Sequence, residues 1–112
     1  MLRSIKDMLD YSILATDGEI GHVSDILLGE SDLKVRYLVI DTGGWLSGRK
    51  VLLSTAWLSS VAPHRKALVV NIDKKRIEES PPYDPSGEIP REYETRLLEH
   101  HGRPKYWERE DR

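Results

Sequence analysis

Gly43 and Gly48 frame four residues in "DTGGWLSGRKVLLS" and are followed by Arg49 and Lys50. That is one substitution from the loop whose backbone amides cradle nucleotide phosphates. Such a loop needs a helix after it, with the helix N-terminus aimed at the phosphates. The chain continues instead as "KVLLSTAWL", whose apolar run and Thr55 suit a strand. Arg49 also stands at the reaching lysine's place and Lys50 at that of the magnesium-binding hydroxyl. The stretch therefore reads as a glycine-rich loop between two strands. Acid-base chemistry would need paired carboxylates held at different pKa values in one pocket. Asp17, Asp25 and Asp41 are the carboxylates within the strand-like blocks. Asp17 is accounted for by a turn, and Asp41 by ending a strand before a glycine loop, where its side chain can accept backbone N–H bonds. Ser47, Ser54, Ser59 and Ser60 have no histidine at an informative spacing. His100 and His101 are adjacent, so on a helix they point about 100° apart and do not share an ion. His22 and His64 lie in separate blocks. No catalytic residue, metal site or cofactor is expected, and His101 is expected to dock while His100 stays solvated.

The elements that would position these groups are short. From Ile13 to Ile72 the apolar residues come in brief runs divided by turn chemistry, the pattern of a compact antiparallel β domain. Asp17-Gly18 suits a tight hairpin. In the strand after it, Val23, Asp25 and Leu27 face one way and His22, Ser24, Ile26 and Leu28 the other. "VRYLVID", Val35 to Asp41, is apolar on both faces and reads as a central strand. Further strands are expected in "KVLLS", in the run up to Val61, and in "ALVVNI". Asp73 is a candidate N-cap for the short helix "KKRIEES", which Pro81 and Pro82 stop. "PPYDPSGEIP" holds four of the six prolines and reads as an extended linker. A last helix runs through "REYETRLLEHH" to Gly102. Tyr93, Leu97, Leu98 and His101 form its docking face.

Composition narrows the function classes. A chain of 112 residues suits one domain, and the absence of cysteine removes disulfides, thiolate catalysis and cysteine-ligated zinc. A net charge of -2 disfavours a general nucleic-acid binder, although Arg49-Lys50, Arg65-Lys66 and Lys74-Lys75-Arg76 are local basic runs. No apolar run approaches the roughly 20 residues that span a bilayer, and the N-terminus lacks a signal-peptide core, so a cytoplasmic location without membrane insertion is expected.

Four blocks in order, "DGEIGHVSDILL", "VRYLVIDTGGWLSGRKVLLS", "SPPYDP" and "REYETRLLEHHGRPKYW", resemble the PRC-barrel family, named for the photosynthetic reaction centre. The likeness runs from Ser4 to Trp107 and is nearest to a bacterial branch with a "YYG-P-YW" tail, often in two copies. This chain has one copy, with His100-His101 where an aromatic pair is common. The resemblance implies a mainly β fold: a small antiparallel barrel over residues 1–80 with a short helix. Residues 81–112 then form a linker, helical arm and aromatic tail that pack on the barrel or on a dimer partner. It also implies a non-catalytic module for protein–protein interaction or assembly, like the cytoplasmic domain of the reaction-centre H subunit. The alternatives are ribosome or RNA association, as in the C-terminal domain of the ribosome maturation factor, and a quinone-like small molecule in the barrel mouth. The expected partner is another protein or a second copy, with peripheral membrane association only through that partner. Interaction candidates are Trp45 and Leu46 at the loop tip, Arg49, and Tyr106 and Trp107 in the tail. Trp45 either meets a partner or folds back on its own barrel, and the tail aromatics pose the same choice. Trp57 is assigned to the core.

Overall fold

A computed structural model describes residues 8–29, 32–44, 46, 49–81, 83–84 and 89–107. Six strands form one mixed sheet: β1 (Ser12–Ala15), β2 (Gly18–Leu28), β3 (Val35–Asp41), β4 (Lys50–Ser54), β5 (Leu58–Ala62) and β6 (Ala67–Val70). Their order across the sheet is β4-β3-β2-β1-β6-β5. Four of the pairings are antiparallel, as expected. The pairing of β1 with β6, which sets Ser12 against Ala67 and Leu14 against Val69, is parallel. Local turn chemistry reveals hairpins, but this pairing joins strands more than fifty residues apart and leaves no local mark.

The order itself bends the sheet. β4 and β5 are its two edges, yet only a 3-10 turn, Thr55–Trp57, separates them in the chain. Five strand spacings of about 4.8 Å would set the edges of a flat sheet roughly 24 Å apart. A 3-10 turn advances only about 2 Å per residue. The sheet must therefore curl until its edges are one turn apart. The curl is helped by breaks in register within β1, β2 and β5, each adding local twist. The break between Val23 and Asp25 also interrupts the strict alternation expected of β2: Val23 is buried, Asp25 is exposed and Leu27 is half-buried.

Ile13, Val23, Ile40, Val51, Leu53 and Leu68 have no exposed surface and fill the curled sheet with side chains. In β3, Tyr37, Leu38, Val39 and Ile40 are all buried, so both faces of this strand are covered. Alternation places Leu38 and Ile40 on one face and Tyr37 and Val39 on the other. The Tyr37 face meets α2 (Arg91–His100), whose Tyr93, Leu97 and Leu98 belong to the same core. The sequence face proposed for docking is thus the buried one.

Short polar bonds set the ends of the elements. The carboxylate of Asp73 accepts from the N–H of Arg76 at 2.8 Å and caps α1 (Lys74–Glu78), while Asp17 accepts from the N–H of Lys74 at 3.0 Å and ties that helix to the first hairpin. At the far end of α2, Gly102 has a φ of 63°. Its N–H reaches the Glu99 carbonyl at 3.1 Å, and the Arg103 N–H reaches that of Leu98 at 2.9 Å. This pair of bonds closes a helix on a left-handed residue, and glycine adopts it without a Cβ penalty.

Gly21 has a stricter requirement. Its φ is 152°, and a Cβ there would lie 2.1 Å from the Asp41 carbonyl oxygen, within the β2–β3 ladder. Gly21→Ala is expected to lower unfolding free energy in urea by about 2 to 4 kcal/mol. Gly44→Ala is the control, because a Cβ at Gly44 meets nothing within 4 Å. Its effect should stay within about 0.5 kcal/mol, and equal losses for the two variants would overturn this account of the ladder.

Candidate interaction surface

The glycine loop is a hairpin connection, for β4 begins at Lys50 and continues as strand to Ser54. Thr42 closes its base: its N–H and its hydroxyl both donate to the Arg49 carbonyl. Among the described residues the loop has the form read from its sequence, with a strand and not a helix following it. Leu46 is half-buried against the core. Trp45 lies outside the described residues. Arg49 points to α1, where its guanidinium donates to the carbonyls of Glu78, at 2.9 Å, and Ser80. It caps the carbonyl end of that short helix at the start of the proline linker.

The carboxylates have local work. Asp41 accepts from the N–H of Gly43 at 2.9 Å, and Asp25 from that of Ile26 at 2.8 Å. Among the described residues no three His, Asp or Glu side chains are placed to hold a metal ion. An open depression of about 400 Å³ is lined by Asp10, Ser12, Glu19, Gly21, His22, Asp41, Thr42 and Gly43.

The densest chemistry is on the arm. Glu94 of α2 is only 8% exposed. Its Oε1 accepts from the Tyr37 hydroxyl of β3 at 2.8 Å and from the Tyr106 hydroxyl of the tail at 2.6 Å. Arg91 approaches its other oxygen at 3.7 Å. A buried carboxylate must be hydrogen-bonded or paired to be tolerated, and two tyrosine hydroxyls and one nearby guanidinium meet that need. Tyr37 is raised far above the ordinary tyrosine range, first by burial and then by the Glu94 carboxylate, so its hydroxyl stays a donor. Tyr106 is raised for the same causes in the same order. Above this bond the Arg36 guanidinium lies 4.0 Å from the Tyr106 ring centroid, and Arg91 lies 4.1 Å from that of Trp107. Tyr106 and Trp107 meet edge to face at 5.0 Å. Cations and rings alternate across a half-exposed face, each ring offering its negative surface to a guanidinium.

Tyr106 and Trp107, two of the sequence candidates, are thus brought together on the chain's own arm. Arg49 and Leu46 are engaged elsewhere, at α1 and against the core. Sequence reasoning missed Tyr37, Glu94, Arg36 and Arg91. Nothing in the sequence set Glu94 apart, a carboxylate beside Tyr93 on a helix surface.

At the end of α2, His101 lies 4.4 Å from the Trp57 ring, so the helix docks on the turn that joins the sheet's edges. Neither ring nitrogen of His101 has a hydrogen-bond partner among the described residues. Burial pushes it down to about 4, with help from the neighbouring His100, Arg76 and Arg103. His100 is half-buried, not solvated as expected, because its Nε2 sits 2.8 Å from the Arg76 carbonyl of α1. Tyr93 donates to the Pro81 carbonyl at 2.9 Å and pins the linker.

The PRC-barrel domain family model matches residues 2–77. The chain belongs to the PRC-barrel family. The match ends within α1, so α2 and the aromatic tail lie beyond the part of this PRC-barrel protein that the family model covers. Among solved structures, one chain described as the putative 16S ribosomal RNA processing protein RimM of Pseudomonas aeruginosa is similar, with a TM-score of 0.52 and 14% identity over 65% of this chain. The alignment covers 45% of that chain, so this PRC-barrel protein spans less than half of its length. The likeness is one of fold. No curated protein matches the chain.

Two outcomes test the clasp. Glu94→Ala should destabilise by about 3 kcal/mol, because it leaves the buried Tyr37 hydroxyl unpaired, whereas Tyr106→Phe should cost about 1 kcal/mol. Equal losses in thermal melts would mean that Glu94 does not bridge the two. For His101, the native state keeps the ring neutral to about pH 4 while the unfolded chain takes up a proton near 6.5. Its contribution is therefore complete above pH 6.5 and shrinks as pH falls towards 4, by about 2 to 3 kcal/mol in all. Urea titrations should show this acid loss in wild type and a smaller one in His101→Leu; identical pH profiles would refute it.

Proposed function

We propose that this PRC-barrel protein is a non-catalytic assembly module that presents the Arg36, Arg91, Tyr106 and Trp107 face to a protein partner. One observation carries the reading: Glu94 holds rings and guanidiniums in a fixed array at the surface. Arginine and large aromatics dominate binding energy at protein interfaces, and a rigid array loses little side-chain entropy when a partner arrives. The sequence candidates Trp45, Leu46 and Arg49 belong to the same proposal as a second contact region on the β3–β4 loop. Among the described residues no helix is long and apolar enough to cross a membrane, so the partner would supply any attachment to one.

A second reading, RNA or ribosome association, draws on the exposed His64, Arg65 and Lys66 and on the basic start of α1, together with the fold shared with the RimM chain. Its mark would be a steep loss of binding with salt, which a neutral protein interface does not show.

A photo-crosslinking amino acid at position 107, expressed in the native host, tests the two. The expected result is a protein adduct at 107 that is absent from a control at the exposed Thr16 and reduced by Arg91→Ala. Equal labelling at 107 and 16 would overturn the assembly reading, and a ribonuclease-sensitive adduct would replace it with the second.

A further inference from the structure

His101 closes the joint between α2 and the barrel. Its side chain is buried, lies 4.4 Å from the Trp57 ring and meets His100 edge to face at 4.8 Å. A neutral imidazole offers one donor and one acceptor. Among the described residues both nitrogens of His101 go unused, whereas His100 Nε2 has the Arg76 carbonyl. The charged and titratable groups that act on the His101 ring are His100 of its own helix, Arg76 of α1 and Arg103 of the segment after Gly102; no carboxylate is among them. The Thr55–Trp57 turn on the other side carries no charge, and Glu99, the acid nearest in sequence, is exposed. A proton taken up here would create a buried cation with two donors and no acceptor, beside two guanidiniums. The ring escapes that cost by leaving its site.

The backbone at this point can yield without the rest of the arm. Three bonds finish α2: the N–H groups of His101, Gly102 and Arg103 donate to the carbonyls of Leu97, Glu99 and Leu98 at 3.2, 3.1 and 2.9 Å. They belong to the last turn, where helices fray. Glu94 grips the first half of α2 through Tyr37 and Tyr106.

We propose that the end of α2 is an acid-released latch: protonation of His101 withdraws its ring from Trp57 and opens the last turn, while the barrel and the Glu94 clasp stay folded. Opening uncovers Trp57 on the turn that joins the sheet's edges. The closed ring stays neutral down to about pH 4, whereas a ring released into water titrates near 6.5. Between those values the opening equilibrium rises about tenfold per pH unit, and from pH 7.5 to pH 5 it rises about thirtyfold.

Hydrogen exchange of the full chain, followed by NMR across that range and corrected for intrinsic rates, provides the test. The amides of His101, Gly102 and Arg103 should lose about thirtyfold in protection, be insensitive to low urea, and stay less protected than the amides of β3. His101→Leu should keep them protected at both pH values. Arg103→Gln, which removes one repelling charge, should shrink the change. The same spectra follow the His101 ring directly. Helix-end amides that match β3 in protection and in urea sensitivity would mean that only global unfolding opens the joint, and would overturn the proposal. So would a His101 ring that titrates near 6.5 in the folded chain, or a His101→Leu variant with the wild-type pH dependence. No partner enters these measurements, so the latch and the assembly reading stand or fail separately.

Discussion

A three-residue turn, Thr55–Trp57, joins the two outermost strands of the sheet, and much of the architecture depends on it. It obliges the six strands to curl, which creates an interior for Ile13, Val23, Ile40 and Leu68. It also places Trp57, only 4% exposed, at the corner where the sheet turns back. Against that indole lies His101, so the element that shapes the barrel also receives the end of α2. Among the described residues the curl leaves β5 paired with β6 alone. One constraint thus sets the core and the docking of the arm.

The arm is held by bonds of two kinds that act together. Burial of Tyr93, Leu97 and Leu98 supplies non-directional attraction of roughly 1.5 to 3 kcal/mol per side chain before ordering costs. Such burial alone would tolerate sliding of the helix. Glu94 removes that freedom, because its Oε1 must meet the Tyr37 hydroxyl from β3 and the Tyr106 hydroxyl from the tail. An unpaired buried carboxylate is costly enough to exclude registers in which these bonds are missing. The register so chosen is the one that lays Tyr106 under Arg36 and Trp107 under Arg91.

Much of the strand pattern was legible because alternation, turn residues and helix caps are local signals. Val35–Asp41 announced a strand covered on both faces, Asp73 a cap and Gly102 a stop, and each stands there in the fold. The parallel β1–β6 pairing was not legible, since partners so distant in sequence carry no local mark. The bulge after Val23 was hidden because one extra residue reverses a strand's facing without changing its composition. For the candidate surface, Tyr106 and Trp107 stood out as aromatics in a charged tail. Their partners did not, because a Glu beside Tyr93 on a helix surface reads like any solvated carboxylate until Tyr37 is known to face it.

Most of the groups that suggested chemistry are committed to holding the backbone. Asp17 and Asp73 bind amides at the start of α1, Asp41 binds the amide of Gly43, and Arg49 binds carbonyls at the end of α1. Each is a charge-assisted bond to a group that regular structure leaves unpaired. A charge so used does not move protons or coordinate a ligand without releasing the turn or helix end it secures. Side chains that are held in place but not fully covered are a different case, which describes Trp107 and Arg91.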